Sequence, residues 1–210
     1  MGPRQRALLR AGLVRLVAAA FVRRPRVECV AIEDQLALTV GVGSYIARMN
    51  LHRSLVADGP AQEVASELAM FGRFVGDWHV RNWLYSEAAD AWSDSELLWT
   101  FGWIIAGRGI QDVLVDEAGT AIGTTVRTWD QRAGWRVVWF CPRAAEHVVL
   151  TAEGQGDQIE LTGVQADGRR VRWLFSSIVA DAFTWDGWCS NNDGQTWWHE
   201  QHMEAQRLAR

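Results

Sequence analysis

From Phe74 to its C-terminal end, the chain alternates short apolar stretches with tight polar turns. Glycine and acidic residues mark the turns, as at Asp167-Gly168, while β-branched and aromatic residues fill the stretches between them. This pattern predicts ten strands. They are placed at residues 74–85, 96–105, 108–116, 122–130, 134–141, 146–153, 157–165, 169–178, 181–188 and 195–206.

Ten strands within residues 71–210 leave no room for the long crossovers that parallel pairing needs, so the sheet is predicted to be antiparallel. Closure of the sheet would hide the edges that such a long open sheet exposes. We therefore predict a mainly β protein in which residues 71–210 form a closed antiparallel up-and-down β-barrel of eight to ten strands. A barrel of this size has an interior large enough for one small ligand.

The first 70 residues predict a helical N-terminal extension. Residues 5–22 carry apolar side chains at helical spacing, residues 28–58 favour a helix interrupted at Gly41 and Gly43, and residues 61–70 predict a short helix. The extension is expected to pack on the barrel or on a partner, including a second copy in a homodimer. A targeting or membrane-surface segment and a start codon placed too early are the alternatives. The apolar stretch is too short to be an integral membrane segment.

Composition narrows the function classes. The 210 residues are 49% hydrophobic and 22% charged, which is typical of a globular protein, and a net charge of −4 argues against a nucleic-acid partner. All 21 basic residues are arginine, so Schiff-base catalysis by lysine is excluded. The three cysteines are far apart and form no CxxC pair, which predicts free thiols in a reducing cytoplasm.

Tryptophan usage points to the barrel interior. All thirteen tryptophans lie at or beyond Trp78. Each one buries about 200 Å² and carries an N–H group that needs a partner, so thirteen exceed what bulk filling requires. We expect some to fill the barrel and others to line a cavity and stack on a flat ligand. The predicted lining residues are Trp99, Trp103, Trp139, Trp173 and Trp185.

Four charged residues are candidates for orienting such a ligand. Arg127 and Arg172 lie in the middle of strands whose other residues are predicted to be buried. An inward arginine needs a partner, because an unpaired buried charge is costly, and either Asp112 or an acidic ligand group would serve. The alternative is an outward, solvated arginine. Arg108 and Asp112 share a strand face and would either pair with each other or anchor the ligand.

Familiar catalytic signatures are absent from the sequence, which has no GxSxG, HExxH, Walker loop or GxGxxG. Asp112, His79 and Glu200 are the acid–base candidates if the cavity is catalytic. His199 and His202 fall on opposite faces of a regular strand, so they cannot both line the cavity unless a bulge intervenes, and no metal site is predicted. Either histidine could be an axial haem ligand; no other cofactor is expected.

The segment Gly76-Asp77-Trp78 resembles the GxW signature of lipocalin-like (calycin) barrels. In that family the tryptophan closes the barrel floor and an arginine near the end of the last strand packs across it, a role the resemblance gives to Arg207 through a cation–π contact. Later segments, including Trp99–Trp103 and Thr125–Asp130, resemble a widespread group of uncharacterised bacterial calycin-like barrels. The resemblance covers about residues 60–207 and implies a fold rather than a mechanism.

Two classes of function fit these features. In the first, the barrel binds a small, largely apolar or aromatic molecule without changing it, with tryptophans stacking on the ring and an arginine orienting its polar end. In the second, an enzyme of the cyclase or isomerase type acts on a secondary metabolite in the same cavity. Haem binding is a weaker third alternative. The missing catalytic signatures favour binding.

Overall fold

The computed structural model describes residues 55–209, and the predictions for residues 1–54, including a dimer contact, lie outside this range. A short 3-10 turn, Gln62–Val64, leads into helix α1, Ala65–Gly72, which confirms the helix predicted at 61–70. No helix in the described range is both long and apolar enough to cross a bilayer. The strands are β1 Val56–Ala57, β2 Gly76–Ser86, β3 Ala91–Ile104, β4 Gly109–Asp116, β5 Ala121–Asp130, β6 Gly134–Cys141, β7 Glu146–Gln155, β8 Gln158–Gln165, β9 Arg170–Ser176, β10 Ala182–Ser190 and β11 Trp198–Arg207.

Strands β2 to β11 close into a ten-stranded antiparallel barrel. Each strand pairs with the next along the chain, and β11 returns to pair with β2, so the predicted up-and-down barrel is confirmed. Strand β1 adds only two residue pairs to β3. The largest difference from the predicted strands is at β3, which begins at Ala91 rather than at residue 96. Its first six residues are exposed in a hairpin with the end of β2, and their polar sequence gives no alternation to detect.

Helix α1 and the turn after it close one end of the barrel. Leu68, Phe71 and Phe74 are buried there. The ring of Phe71 lies 4.8 Å from that of Trp135, and the ring of Phe74 lies 4.9 Å from that of Phe175. Such edge-to-face and tilted contacts add to the stabilisation from apolar burial. This half of the interior is therefore filled with aromatic side chains.

The floor is sealed by Arg207, whose Cζ lies 4.0 Å from the ring centroid of Trp78. The contact expected from the resemblance is therefore present. The Arg207 guanidinium also donates three hydrogen bonds of 2.7–2.9 Å to backbone carbonyls, those of Arg73, Val75 and Ala180. Gly76 has a φ of +132°, and a Cβ there would lie 2.7 Å from Arg207 Nη1. The glycine of the GxW segment thus makes room for the guanidinium.

Side chains alternate between the inner and outer walls of the barrel, with interruptions at Ile122 in β5 and in β11. Gly187 pairs with Gln201 and Trp188 pairs with His199, so Glu200 is the extra residue of a β-bulge. Glu200 turns into the barrel beside Gln201, while His199 and His202 both lie on the outer wall against Asp186. At the bulge, β11 therefore presents two adjacent residues to the interior.

Candidate functional site

The half of the barrel away from α1 encloses a cavity of about 990 Å³ that opens between the turns after β4, β6 and β8. This volume is at the upper end of the range for small-molecule sites. Apolar side chains form much of the wall, and charged side chains gather at the mouth. The mouth residues include Asp116, Glu117, Glu146, Asp167, Arg169 and Glu200.

Four of the five predicted tryptophans, Trp99, Trp139, Trp173 and Trp185, line this cavity. Each occupies an inward position of its strand. The ring centroids of Trp173 and Trp185 lie 5.5 Å apart, and those of Trp139 and Trp173 lie 6.5 Å apart at an interplanar angle of 85°. A Cβ at Gly187 would lie 2.8 Å from Trp185 Cη2, so this strand glycine leaves space for the ring. The rings give a ligand apolar surface of fixed orientation.

Arg127 reaches the base of the cavity, where Asp112 lies behind it. Arg127 Nη1 donates to Asp112 Oδ2 at 2.5 Å, and the backbone N–H of Thr125 donates to Asp112 Oδ1 at 3.0 Å. The two side chains are 2% and 0% exposed. The inward, paired alternative for Arg127 is therefore the one the structure adopts. Asp112 does not line the cavity itself, because Arg127 covers it.

Two buried N–H groups at the cavity base meet no acceptor among the described residues, Nε of Arg127 and Nε1 of Trp99. A buried donor without a partner costs about 1–3 kcal/mol. Below them, Arg127 Cζ lies 5.1 Å from the ring centroid of Phe71 and 5.4 Å from that of Phe101. The base therefore holds two unpartnered donors just beneath the cavity surface, next to an aromatic floor.

The mouth contains an acidic cluster that sequence reasoning identified only in part. Burial and a hydrogen bond of 2.8 Å to Glu200 raise the pKa of the Cys189 thiol, which therefore stays protonated and is a poor nucleophile. Partial burial, followed by the negative charge of Glu200, raises the pKa of Glu146, against an opposing effect of Arg169. Glu146 was not predicted, because nothing in its local sequence separates it from other glutamates beside turns.

Two predicted ligand-binding arginines lie away from the cavity. Arg108 belongs to the turn before β4, where it is exposed and forms an ion pair with Glu63, so the suggested pairing with Asp112 is wrong. Arg172 alternates with inward Trp173 and therefore lies on the outer wall. Its Cζ is 4.8 Å from the ring centroid of Trp188 and 5.3 Å from that of Trp197.

Two further candidates are also separated from the cavity. Trp103 lies at the floor end of β3, and a Cβ at Gly72 of α1 would lie 2.6 Å from its Cη2, so it packs against the helix. His79 is on the outer wall with its Nε2 2.9 Å from Glu96 Oε2, where it cannot exchange protons with a molecule inside. Among the three predicted acid–base residues, Glu200 alone lines the cavity.

The two C-terminal histidines share the outer wall. Asp186 Oδ1 lies 2.8 Å from His199 Nε2 and 2.7 Å from His202 Nδ1. They share a wall because the strand is not regular: the bulge at Glu200, which the sequence analysis allowed as an exception, resets the alternation. Neither histidine reaches the cavity, and no histidine occurs among its described lining residues. A haem in this cavity would therefore need an axial ligand other than His199 or His202.

Comparisons with known proteins match this chain to solved structures at low sequence identity. No family model and no curated protein matches the chain. The solved structure of Rv2717c from M. tuberculosis is 16% identical, with 69% of this chain and 99% of that chain covered at a TM-score of 0.47. A structure of EF1p2_mFAP2b bound to DFHBI is 14% identical, with 68% of this chain and 98% of that chain covered at a TM-score of 0.34.

Proposed function

We propose that the barrel binds a small, largely apolar or aromatic molecule in its cavity. The observation that carries this proposal is the pair of buried donors, Arg127 Nε and Trp99 Nε1, at the base of a cavity walled by tryptophans. Small-molecule sites are mostly apolar with a few converging polar groups, and this cavity has that composition. The ligand would place a ring between the indoles and direct an acceptor atom to the two donors.

Charge limits which acceptor fits. The charge of Arg127 is balanced by Asp112, so the base is close to neutral. The mouth carries more carboxylates than guanidinium groups and repels a strongly anionic molecule. A phenol, phenolate, carbonyl or single carboxylate therefore suits the site better than a phosphate or polycarboxylate.

The test is a tryptophan-fluorescence titration of the full chain with 2-naphthol, 2-naphthoate and naphthalene. These probes share a ring system, and only the first two carry an acceptor oxygen. One added hydrogen bond contributes about 0.5–1.5 kcal/mol, so 2-naphthol should bind about 2- to 12-fold more tightly than naphthalene. A barrel that binds none of the probes, or binds naphthalene as tightly as 2-naphthol, contradicts the proposal.

A matched pair of variants locates the bound probe. Trp99→Phe keeps an aromatic ring and removes the N–H donor, so it should reduce the preference for 2-naphthol over naphthalene. Trp197→Phe makes the same exchange on the outer wall, beside Arg172, and should leave both affinities unchanged. Equal effects of the two substitutions would place the probe outside the cavity.

Catalysis in the same cavity is the second candidate, favoured by the carboxyl pair Glu146 and Glu200 at the mouth. A carboxyl with a raised pKa retains its proton closer to neutral pH and can act as a general acid in cyclisation or isomerisation. Mass spectrometry of the recovered ligand separates the two functions. A binder returns it unchanged, whereas an enzyme converts it and loses conversion, but not binding, in Glu146→Gln or Glu200→Gln.

A further inference from the structure

We infer that Asp186, His199 and His202 form a binding site for one divalent transition-metal ion on the outer wall of the barrel. One potential ligand atom from each residue lies within 4.8 Å of the other two. Two imidazole nitrogens and one carboxylate oxygen suit Zn²⁺ in particular. The site is on the opposite face of the sheet from the tryptophan-walled cavity and does not depend on a ligand there.

The fold brings these three side chains together through strand pairing and the bulge. Asp186 on β10 is the direct cross-strand partner of His202 on β11, so the two share a wall. If the strand kept Glu200 in a regular alternation with no bulge, His199 would face the interior. Bulges commonly re-aim a side chain near a functional site, and here the bulge gives the wall its second imidazole.

Aromatic side chains hold both imidazoles in place. The ring of His199 is stacked on Trp188 at a centroid distance of 5.2 Å and an angle of 25°, and Trp92 lies 5.3 Å away. The ring of His202 lies 5.4 Å from that of Trp83. The histidine side chains are still 37% and 30% exposed, so an ion can approach from solvent and keep water as further ligands.

The two separations between histidine nitrogens and Asp186 require only a small adjustment for metal binding. The present N···O separations of 2.7 and 2.8 Å are those of hydrogen bonds. Ligand atoms at about 2.0–2.2 Å from a tetrahedral zinc ion stand about 3.3 Å apart, so the imidazoles need to move outward by about half an ångström. Their solvent-exposed sides allow this movement.

A second carboxylate supports coordination by His202. When Nδ1 binds the ion, the ring proton resides on Nε2, which lies 3.9 Å from Glu204 Oε1. Arg81 in turn lies 3.5 Å from the other oxygen of Glu204. Carboxylates beside the non-coordinating nitrogen are a regular feature of histidine metal sites, because they fix the tautomer and the ring orientation.

The test is calorimetric titration of the chelator-treated full chain with ZnCl₂, together with the visible absorption of the Co²⁺-loaded protein. We expect one equivalent of Zn²⁺ to bind and Co²⁺ to give the absorption of a low-coordinate site. Asp186→Asn and His199→Phe should each weaken Zn²⁺ binding at least about tenfold. Both variants keep the shape of the side chain, and circular dichroism checks that the barrel is intact.

His79→Phe is the control, since His79 is also on the outer wall beside a carboxylate, that of Glu96. It should leave Zn²⁺ affinity unchanged. Absence of Zn²⁺ binding would mean that the three residues form only a hydrogen-bonded cluster and would overturn the inference. Binding that survives both Asp186→Asn and His199→Phe would place the ion elsewhere and would overturn it equally.

Discussion

Asp112 and Arg127 form a buried ion pair beneath the cavity, with 2.5 Å between Oδ2 and Nη1. Removing either partner leaves the other charge uncompensated in the barrel interior. We therefore expect Arg127→Met to lower the free energy of unfolding by about 3–5 kcal/mol, and Asp112→Leu with Arg127→Met to recover much of that loss. Urea denaturation measures both. Arg136→Met, at an exposed position of β6, is the control, and an equal loss there would contradict the prediction.

Arg207 seals the floor through geometry as well as charge. Arg207→Lys retains a cation but loses the planar group that covers Trp78 and reaches three carbonyls. We expect a loss of about 2 kcal/mol in the free energy of unfolding, on the scale of hydrogen bonds from charged groups. Thermal and urea denaturation measure it. If Arg207→Lys is as stable as the parent, the three hydrogen bonds do not contribute to the seal.

Gly187 sets the position of the Trp185 ring. An alanine Cβ would approach Trp185 Cη2 to 2.8 Å, so Gly187→Ala should push the ring toward the cavity. Overpacking of this kind costs about 1–3 kcal/mol, and the narrowed cavity should bind 2-naphthol less tightly. The control is Gly102→Ala, where the added Cβ meets nothing within 4 Å. If Gly187→Ala and Gly102→Ala lose the same amount of stability and of 2-naphthol affinity, Gly187 does not set the position of the Trp185 ring.

Glu146 makes the stability of the barrel depend on pH. Its folded-state pKa is raised above the ordinary 4.5, chiefly by burial and then by Glu200, so the native state favours the protonated carboxyl. That contribution is complete below the ordinary pKa and is lost as the pH rises through the folded-state pKa. Glu146→Gln should therefore melt at a higher temperature than the parent at pH 7 and lose this advantage at pH 4. A Glu146→Gln variant that melts at the same temperature as the parent at pH 7, or that keeps its full advantage at pH 4, would contradict this prediction.

Cys189 should resist alkylation while the barrel is folded. It is fully buried, and burial together with the hydrogen bond to Glu200 disfavours the reactive thiolate. Cys141, which is partly exposed, should react before Cys189. Peptide mapping after treatment with N-ethylmaleimide, in native buffer and in urea, measures how far each of the two cysteines is alkylated. Rapid labelling of Cys189 in native buffer would show that the mouth opens readily.

The barrel could be predicted because the turn residues, the strand alternation and the number of strands all indicate the same fold. Turn residues and alternation predicted strand limits close to those observed. The resemblance at Trp78 and Arg207 correctly indicated which end of the barrel is closed. The abundance of tryptophan led us to expect Trp99, Trp139, Trp173 and Trp185 in the cavity wall, and all four line it. The same reasoning failed for Trp103, since residue type does not specify the depth along the barrel axis at which a side chain lies.

The missed features depend on irregular backbone or on tertiary neighbours. Arg108 lies in a turn, where strand parity has no meaning, and its partner Glu63 is distant in sequence. The β11 bulge carries no glycine that would have marked it, so the convergence of His199 and His202 could not be read from their spacing. Glu146 acquires its raised pKa from burial and Glu200, neither of which is visible along the chain.

The extra residue Glu200 interrupts the alternation of inward and outward side chains along β11. On its C-terminal side the alternation is locked by pairing with β2 from Gln201 to Arg207, so those residues have a fixed assignment to one wall. For the residues before Glu200, the wall on which each side chain lies depends on whether the bulge is present. If β11 ran through Glu200 as a regular strand, Trp198 and His199 would exchange walls while the rest of the strand stayed in place. Deletion of Glu200 would instead leave a regular strand with both residues on their present walls and would remove one carboxylate from the interior. The position of one extra residue, as much as the composition of the segment, therefore determines the chemistry of both surfaces.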